Sequence, residues 1–126
     1  MTDQVLVTDD GAVRTIRMNR PDKKNALTFA MYDAMSEAIT SAGGSSPIRC
    51  LMICGVPGAF SAGNDLAEFS QAATSGAGLG SSVIRFLHAL ARFFAENIAV
   101  QAGGLETTVT EGAESISDIA LPHAAA

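Results

Sequence analysis

Aromatic side chains are scarce in this chain. It has no tryptophan, and six Phe with one Tyr make up only 6% of its 126 residues. Much of its 48% hydrophobic content is therefore alanine, which buries little area per residue, so we expect a thin core. Basic residues are also few, 8 against 13 acidic ones, and the net charge of −5 argues against a nucleic-acid-binding surface. The composition is nevertheless that of a globular protein, and the length favours one domain.

Cysteine is nearly absent as well. Cys50 and Cys54 stand four positions apart on one predicted strand, where such positions are roughly 13 Å apart. A disulfide needs Cα atoms within about 7 Å, so we expect two reduced thiols in the core, with no histidine at metal-binding spacing. The chain also lacks both a basic N-terminal leader and an apolar run near the roughly 20 residues of a membrane span. We therefore expect a cytoplasmic protein with neither a metal site nor a membrane partner.

The first half of the chain predicts a regular order of elements. Residues 4–8 and 13–18 read as strands, and the Asp-Gly turn between them favours a hairpin. Thr28 is a suitable N-cap for a helix that Gly43-Gly44 ends. Residues 48–54 are almost continuously apolar, as in a strand covered on both faces. The order strand, strand, helix, strand allows a right-handed parallel crossover. The helix is predicted from apolar residues at helical spacing, which are Leu27, Met31, Ala34, Met35, Ala38 and Ala42.

The second half is less regular. We expect a short helix at 65–73, a flexible Gly- and Ser-rich loop at 74–82, and a second helix at about 81–95. Residues 98–100 are compatible with a short strand, and weak order is expected from residue 102 onward. The longer helix is predicted to bury Val83, Leu87, Leu90 and Phe94 and to turn Arg85, His88 and Arg92 to solvent.

The segment 59–66, Ala-Phe-Ser-Ala-Gly-Asn-Asp-Leu, carries the strongest functional signal. It follows a predicted buried strand and a Gly-Pro-rich turn. A small-residue loop at such a position leaves backbone N–H groups free to face a ligand, and a helix that opens just after it adds its positive end. That arrangement suits a group that becomes an oxyanion. The simpler alternatives are that Asn64 is no more than a turn residue and that Asp65 is a helix cap.

Two motifs together resemble the crotonase superfamily, whose typical members are enoyl-CoA hydratases and isomerases. They are Arg-Pro-Asp-Lys-Lys-Asn-Ala-Leu at 20–27 and Gly-Ala-Phe-Ser-Ala-Gly-Asn-Asp-Leu at 58–66. The resemblance covers roughly residues 4–95 and implies an α/β, crotonase-like ββα spiral fold. Family members are about twice as long, so we expect a truncated N-terminal half at 1–101, followed by an irregular or disordered tail at 102–126.

The resemblance also implies a ligand and its contacts. The ligand is an acyl-CoA thioester, with no metal and no separate cofactor, because CoA arrives as part of the substrate. The Asn64 N–H would be one half of the oxyanion hole and Gly103 the other, with Glu106 as acid or base. The implied CoA contacts are Lys24, Asn25, Ala26, Leu27, Ala62, Asp65 and Leu66, although solvated charge is the simpler reading of Lys24.

The implied activity is hydration or double-bond isomerisation of an acyl-CoA. Loss of the second half would impair it, because the later helices and a second Glu have no counterpart before Ala126. Two alternatives stay open. One is a noncatalytic acyl-CoA-binding or assembly module, forming a homo-oligomer or docking on a full-length relative. The other is a degenerate truncated product without a function.

Overall fold

The computed structural model describes residues 3–76 and 80–102, the last five by their backbone alone. The expected tail beyond residue 102 and the middle of the Gly-rich loop lie outside these residues. In chain order the elements are β1 (Val5–Asp10), β2 (Val13–Met18), a 3-10 turn (Pro21–Lys23), α1 (Phe29–Thr40), β3 (Cys50–Cys54), α2 (Leu66–Ser75) and α3 (Ser81–Ala102).

The strands form one sheet in the order β1-β2-β3. β1 and β2 pair antiparallel around a tight turn in which Gly11 has a φ of +59°, which a glycine adopts without steric cost. β2 and β3 pair parallel, with Ile16 opposite Ile53, and α1 connects them. The predicted hairpin and parallel crossover are therefore confirmed.

The core lies between one face of the sheet and the helices α1 and α3. Its most buried side chains are Ile16, Met31, Met35 and Ile39, each at most 1% exposed. Isoleucine and methionine thus fill the centre of the core. Methionine is suited to irregular gaps because its side chain is unbranched and flexible.

The prediction that β3 is covered on both faces is wrong for the part of the chain that the structure describes. Cys50 is exposed, Met52 is 50% exposed and Cys54 is only half-buried. An apolar run indicates that a strand can be buried on both sides, but here α1 and α3 cover one side only. The two cysteines are free, as predicted, but they are not core thiols.

Both N-caps expected for α1 and α2 are confirmed. The Thr28 hydroxyl accepts a hydrogen bond from the Met31 N–H, and the Asp65 carboxylate accepts one from the Glu68 N–H. α2 runs on to Ser75 and ends at Gly76, whose φ is +73°. None of the helices within residues 3–76 and 80–102 combines the length and the hydropathy that crossing a bilayer requires.

Two predictions for α3 are wrong. Residues 98–100 continue the helix and do not form a strand, which reflects the ambiguity of short apolar runs. The buried stripe also differs, because Leu87 and Phe94 are 40% and 39% exposed while Phe93 is 9% exposed. The apolar residues of α3 extend around more than one face of the helix, and only the face that packs against α1 is buried. The residues packed on the core are Val83, Phe86, Ala89, Leu90 and Phe93. Arg85, His88 and Arg92 are exposed, as predicted.

Candidate functional site

Two loops that are distant in sequence meet at Leu27. The Leu27 N–H donates to the Gly63 carbonyl at 2.7 Å, and the Leu27 carbonyl accepts from the Asp65 N–H at 2.8 Å. These bonds make a short parallel bridge between Leu27 and Asn64. The structure thus brings together the two segments whose sequences define the family resemblance.

The bridge also determines where the Asn64 amide points. In a parallel bridge the flanking residues, here Gly63 and Asp65, supply the groups that face the partner strand. The N–H of the residue between them is directed to the other side. Asn64 is exposed, and within the described residues its N–H makes no hydrogen bond. It directly precedes the N-cap of α2, where the helix dipole favours negative charge.

Gly63 and Gly55 each have a defined part in shaping the loop that carries Asn64. Gly63 has a φ of +92°, a conformation that other residues rarely adopt. Gly55 follows β3 directly, and a Cβ atom there would lie 2.7 Å from the Phe60 Cα. The main chain of this loop folds back too closely to leave room for any side chain at position 55.

The buried side chain of Asn25 holds the first loop in place through hydrogen bonds. It is fully buried, and its Oδ1 accepts from the Arg20 N–H at 2.7 Å. Its Nδ2 donates to the Met18 carbonyl at 3.2 Å and to the Phe60 carbonyl at 3.0 Å. The Asn25 carbonyl accepts from the Ser61 hydroxyl. The side chain therefore ties the loops together from inside, and a CoA contact at Asn25 stays a prediction.

Arg20 and Asp65 form an ion pair that also joins the two loops and that the sequence did not reveal. The Arg20 Nη1 donates to the Asp65 Oδ2 at 2.7 Å and to the Ala26 carbonyl at 3.0 Å. Both charged side chains are only 15% exposed. The pKa of Asp65 lies below its usual range, first because the Glu68 N–H bonds the carboxylate and then because Arg20 does. The interpretation of Asp65 as a helix cap is thus supported, and an ion pair is added.

Glu68 links the two helix N-termini. Its carboxylate accepts a hydrogen bond of 2.9 Å from the N–H of Phe29, the first residue of α1. The Phe29 and Phe69 rings lie against each other, with centroids 4.7 Å apart. No local sequence signal pointed to Glu68, because its partner is on a different helix.

The side chain of Asn64 is held by a residue that sequence analysis also missed. The Tyr32 hydroxyl, on α1, donates to the Asn64 Oδ1 at 2.5 Å. Tyr32 is 7% exposed, and its ring packs edge-on against Phe86 of α3, with centroids 5.3 Å apart. Burial raises the pKa of the Tyr32 phenol.

The remaining predicted contacts lie on the surface around this site. Lys24 is exposed in a left-handed conformation, and its carbonyl accepts from the Ala62 N–H at 2.9 Å. Ala62 is exposed and Leu66 is 80% exposed. Gly103 and Glu106 lie outside the described residues.

Two clefts beside α1 are lined by residues other than those of the two loops. One of about 330 Å³ and one of about 450 Å³ both include Thr40, near the opposite end of α1 from Asn64. Among the residues whose placement is described, no three His, Cys, Asp or Glu side chains are grouped as they would be around a metal ion. The described residues of the two loops thus present an exposed Asn64 whose main-chain N–H has no hydrogen-bond partner among them.

This combination of sheet, crossover helix and paired loops defines the class of protein. The family model for enoyl-CoA hydratase/isomerase matches residues 13–103. The chain belongs to the enoyl-CoA hydratase/isomerase family, and the predicted crotonase-type fold is confirmed.

Individual relatives match over part of their length. The chain is 38% identical over 68 residues to enoyl-CoA delta isomerase 2 of Rattus norvegicus, which is 54% of this chain and 17% of that protein. It is 32% identical over 97 residues to 1,2-epoxyphenylacetyl-CoA isomerase of Escherichia coli K12, which is 76% of this chain and 37% of that protein. Among solved structures, an enoyl-CoA hydratase/isomerase of Pseudoalteromonas atlantica T6c is 31% identical with a TM-score of 0.61, over 71% of this chain and 34% of that one. The chain thus spans between 17% and 37% of the length of these relatives.

Proposed function

We propose that this chain binds an acyl-CoA thioester and that the Asn64 N–H donates a hydrogen bond to the thioester oxygen. One observation carries the proposal. The bridge to Leu27 leaves this amide without a partner among the described residues, exposed and next to the N-terminus of α2. A fixed N–H aimed at an oxygen stabilises it more as that oxygen gains negative charge. Two relatives, enoyl-CoA delta isomerase 2 and 1,2-epoxyphenylacetyl-CoA isomerase, carry the names of enzymes that act on CoA compounds, which supports the choice of ligand.

The reaction that such a donor serves is hydration or double-bond isomerisation. Both pass through a species in which the thioester oxygen becomes negative, and a second N–H and a carboxylate would complete the machinery. Gly103 and Glu106 are our candidates for these roles. CoA would contact the exposed backbone around Lys24, Ala62 and Leu66.

A noncatalytic acyl-CoA binder is the second candidate. The observation that favours it is exposure, since Ala62, Asn64 and Leu66 are all exposed within the part of the chain that the structure describes. Water exclusion is needed to give hydrogen bonds their full effect on a reaction. Binding requires only the donor and the surface that receives CoA.

A matched pair of variants at one position tests the proposal. Asn64→Pro removes the N–H, whereas Asn64→Ala keeps it, and both retain the bonds that Gly63 and Asp65 make with Leu27. The probe is acetoacetyl-CoA, whose enolate carries a negative oxygen, titrated by calorimetry with CoA as the reference ligand. We expect Asn64→Pro to bind acetoacetyl-CoA at least about tenfold more weakly than Asn64→Ala does, while both variants keep their affinity for CoA. Equal affinity of the two variants for acetoacetyl-CoA would refute the role of the amide.

Turnover separates the two candidate functions. Crotonyl-CoA hydration is followed in wild type and in Glu106→Gln. Activity that the substitution abolishes supports an enzyme, and binding without activity supports the noncatalytic module. If neither CoA thioester binds, both candidates fail.

A further inference from the structure

We infer that Tyr32 is a positioning residue for Asn64, whose side chain it holds through the phenol hydroxyl. The inference rests on the function proposed above and adds to it a residue that acts through Asn64 without touching the ligand. It is carried by the hydrogen bond of 2.5 Å from the Tyr32 hydroxyl to the Asn64 Oδ1.

Asn64 needs such a support because of its place in the fold. It is exposed and lies in a loop. The bridge to Leu27 holds the Gly63 carbonyl, and with it the peptide group of the Asn64 N–H, but it does not hold the Asn64 side chain. Gly63, with a φ of +92°, precedes it, and glycine is the residue with the greatest backbone freedom. Within the described residues, the bond from Tyr32 is the contact that fixes the Asn64 side chain. Fixing that side chain further restricts the rotation of the peptide that carries the N–H.

Tyr32 is itself rigidly placed. It lies in the middle of α1, is 7% exposed and packs edge-on against Phe86 of α3. An aromatic side chain has only two rotatable bonds, so little entropy is lost when it is ordered. Tyr32 therefore connects the packed helices α1 and α3 to the loop that carries the proposed oxyanion donor.

The hydroxyl group distinguishes this role from ordinary core packing. Phenylalanine could make the same contact with Phe86, and the phenol adds only an O–H group whose partner is exposed. Because the Asn64 Oδ1 is engaged by Tyr32, the carboxamide retains its Nδ2 to donate elsewhere. Asn64 could then offer a side-chain donor beside its main-chain donor.

The chain contains one tyrosine and no tryptophan, so its near-ultraviolet absorbance and fluorescence report largely on Tyr32. Three full-length variants are compared with wild type: Tyr32→Phe, Asn64→Ala and Ser36→Ala. The last is the matched control, because the buried Ser36 hydroxyl bonds the main-chain carbonyl of Tyr32 and not the loop, so that its loss leaves the Tyr32 phenol and Asn64 bonded. The first readout needs no ligand and is the main-chain amide resonance of position 64 in a two-dimensional NMR spectrum.

Tyr32→Phe should shift and broaden the Asn64 amide resonance, whereas Ser36→Ala should leave it in place. Asn64→Ala, which changes an exposed side chain and keeps the fold, should alter the tyrosine spectrum. With ligand, Tyr32→Phe should weaken acetoacetyl-CoA binding by about fivefold to tenfold relative to CoA binding. A purely structural role would lower both affinities together.

The two hypotheses fail separately. If wild type does not bind acetoacetyl-CoA, the proposed function fails, and the NMR and tyrosine spectra still decide whether Tyr32 holds Asn64. If wild type binds but Tyr32→Phe leaves both the Asn64 resonance and the preference for acetoacetyl-CoA unchanged, the positioning role is overturned. An unaltered tyrosine spectrum in Asn64→Ala would overturn it independently of how well Tyr32→Phe folds.

Discussion

Arg20 and Asp65 are the residue pair that joins the two loops of the site. Their hydrogen bond of 2.7 Å connects side chains that are both 15% exposed, and Asp65 also caps α2. The carboxylate therefore has two functions in the fold: it caps the N-terminus of α2 and binds an arginine of the other loop. A change of charge at this position should affect the position of the loop as well as the stability of the domain.

Acid should destabilise the protein in part through Asp65. Its pKa is lowered in the folded state, so its contribution to stability is present above the unfolded pKa, about 3.9, and is lost as the pH falls below that value. We expect Asp65→Asn to be less stable than wild type at neutral pH and to depend less steeply on pH in this acid range. Urea unfolding at a series of pH values measures this, with Asp22→Asn, an exposed carboxylate of the same loop region, as control. Parallel pH profiles for wild type and Asp65→Asn would contradict the assignment.

Alkali should act through Tyr32. Burial raises its pKa, so the unfolded chain releases the phenol proton first and stability falls as the pH rises above about 10. Tyr32→Phe should remove this loss, while at neutral pH it should cost about 1 kcal/mol for the missing hydrogen bond. Tyrosinate absorbance during a pH titration gives the pKa directly, because the chain has a single tyrosine. Titration of native protein at the pKa of free tyrosine would show that the phenol is not buried.

At the scale of elements, the connection from β3 to α2 is the most constrained segment. Arg17 donates to the Gly55 carbonyl at 2.6 Å, and a Cβ on Gly55 would lie 2.8 Å from the Phe60 carbonyl oxygen. The loop therefore leaves the sheet in one geometry, which places Asn64 beside Leu27. A substitution that opens this loop should move the proposed donor without touching it.

Gly55→Ala should destabilise the domain by roughly 1–3 kcal/mol, the usual range for a forced backbone shift in a packed region. Gly80→Ala is the matched control, since among the residues whose placement is described its Cβ would meet Ile84 at an ordinary 3.6 Å. Urea midpoints of the two variants supply the comparison. We also expect acetoacetyl-CoA binding to weaken in Gly55→Ala alone. Equal stability of the two variants would mean that the loop relaxes more freely than its contacts indicate.

Interactions between residues close together in the sequence could be predicted from it, whereas interactions between distant residues could not. Thr28 and Asp65 were identified as caps because a cap bonds an N–H only two or three positions away. The Arg20–Asp65 and Tyr32–Asn64 pairs join residues far apart in sequence, and no local pattern marks them. The meeting of the two loops was expected only because both motifs resemble one family. The buried stripe of α3 was missed because its apolar residues exceed what one face can hold, so packing made the choice.

At the scale of the molecule, several large apolar side chains are exposed on the described surface, where they favour association with other protein surface. Met52, Phe60 and Leu66 are 50%, 62% and 80% exposed, and Leu6 is 42% exposed. Leu6 and Met52 lie on the sheet face opposite α1, since strand side chains alternate between faces. One face of the sheet is thus available for contact with other protein surface.

We therefore expect low stability of the isolated monomer or association that covers this face. A thin core gains little from hydrophobic burial to offset the entropy of ordering the chain. Circular dichroism melting and light scattering at two protein concentrations measure both properties. Met52→Lys should reduce any association without lowering the melting temperature of the monomer, and Ala30→Lys, on the exposed side of α1, is the control. A wild-type monomer that melts above about 60 °C, the upper part of the usual range for mesophilic domains, would show that the described core is sufficient without a partner.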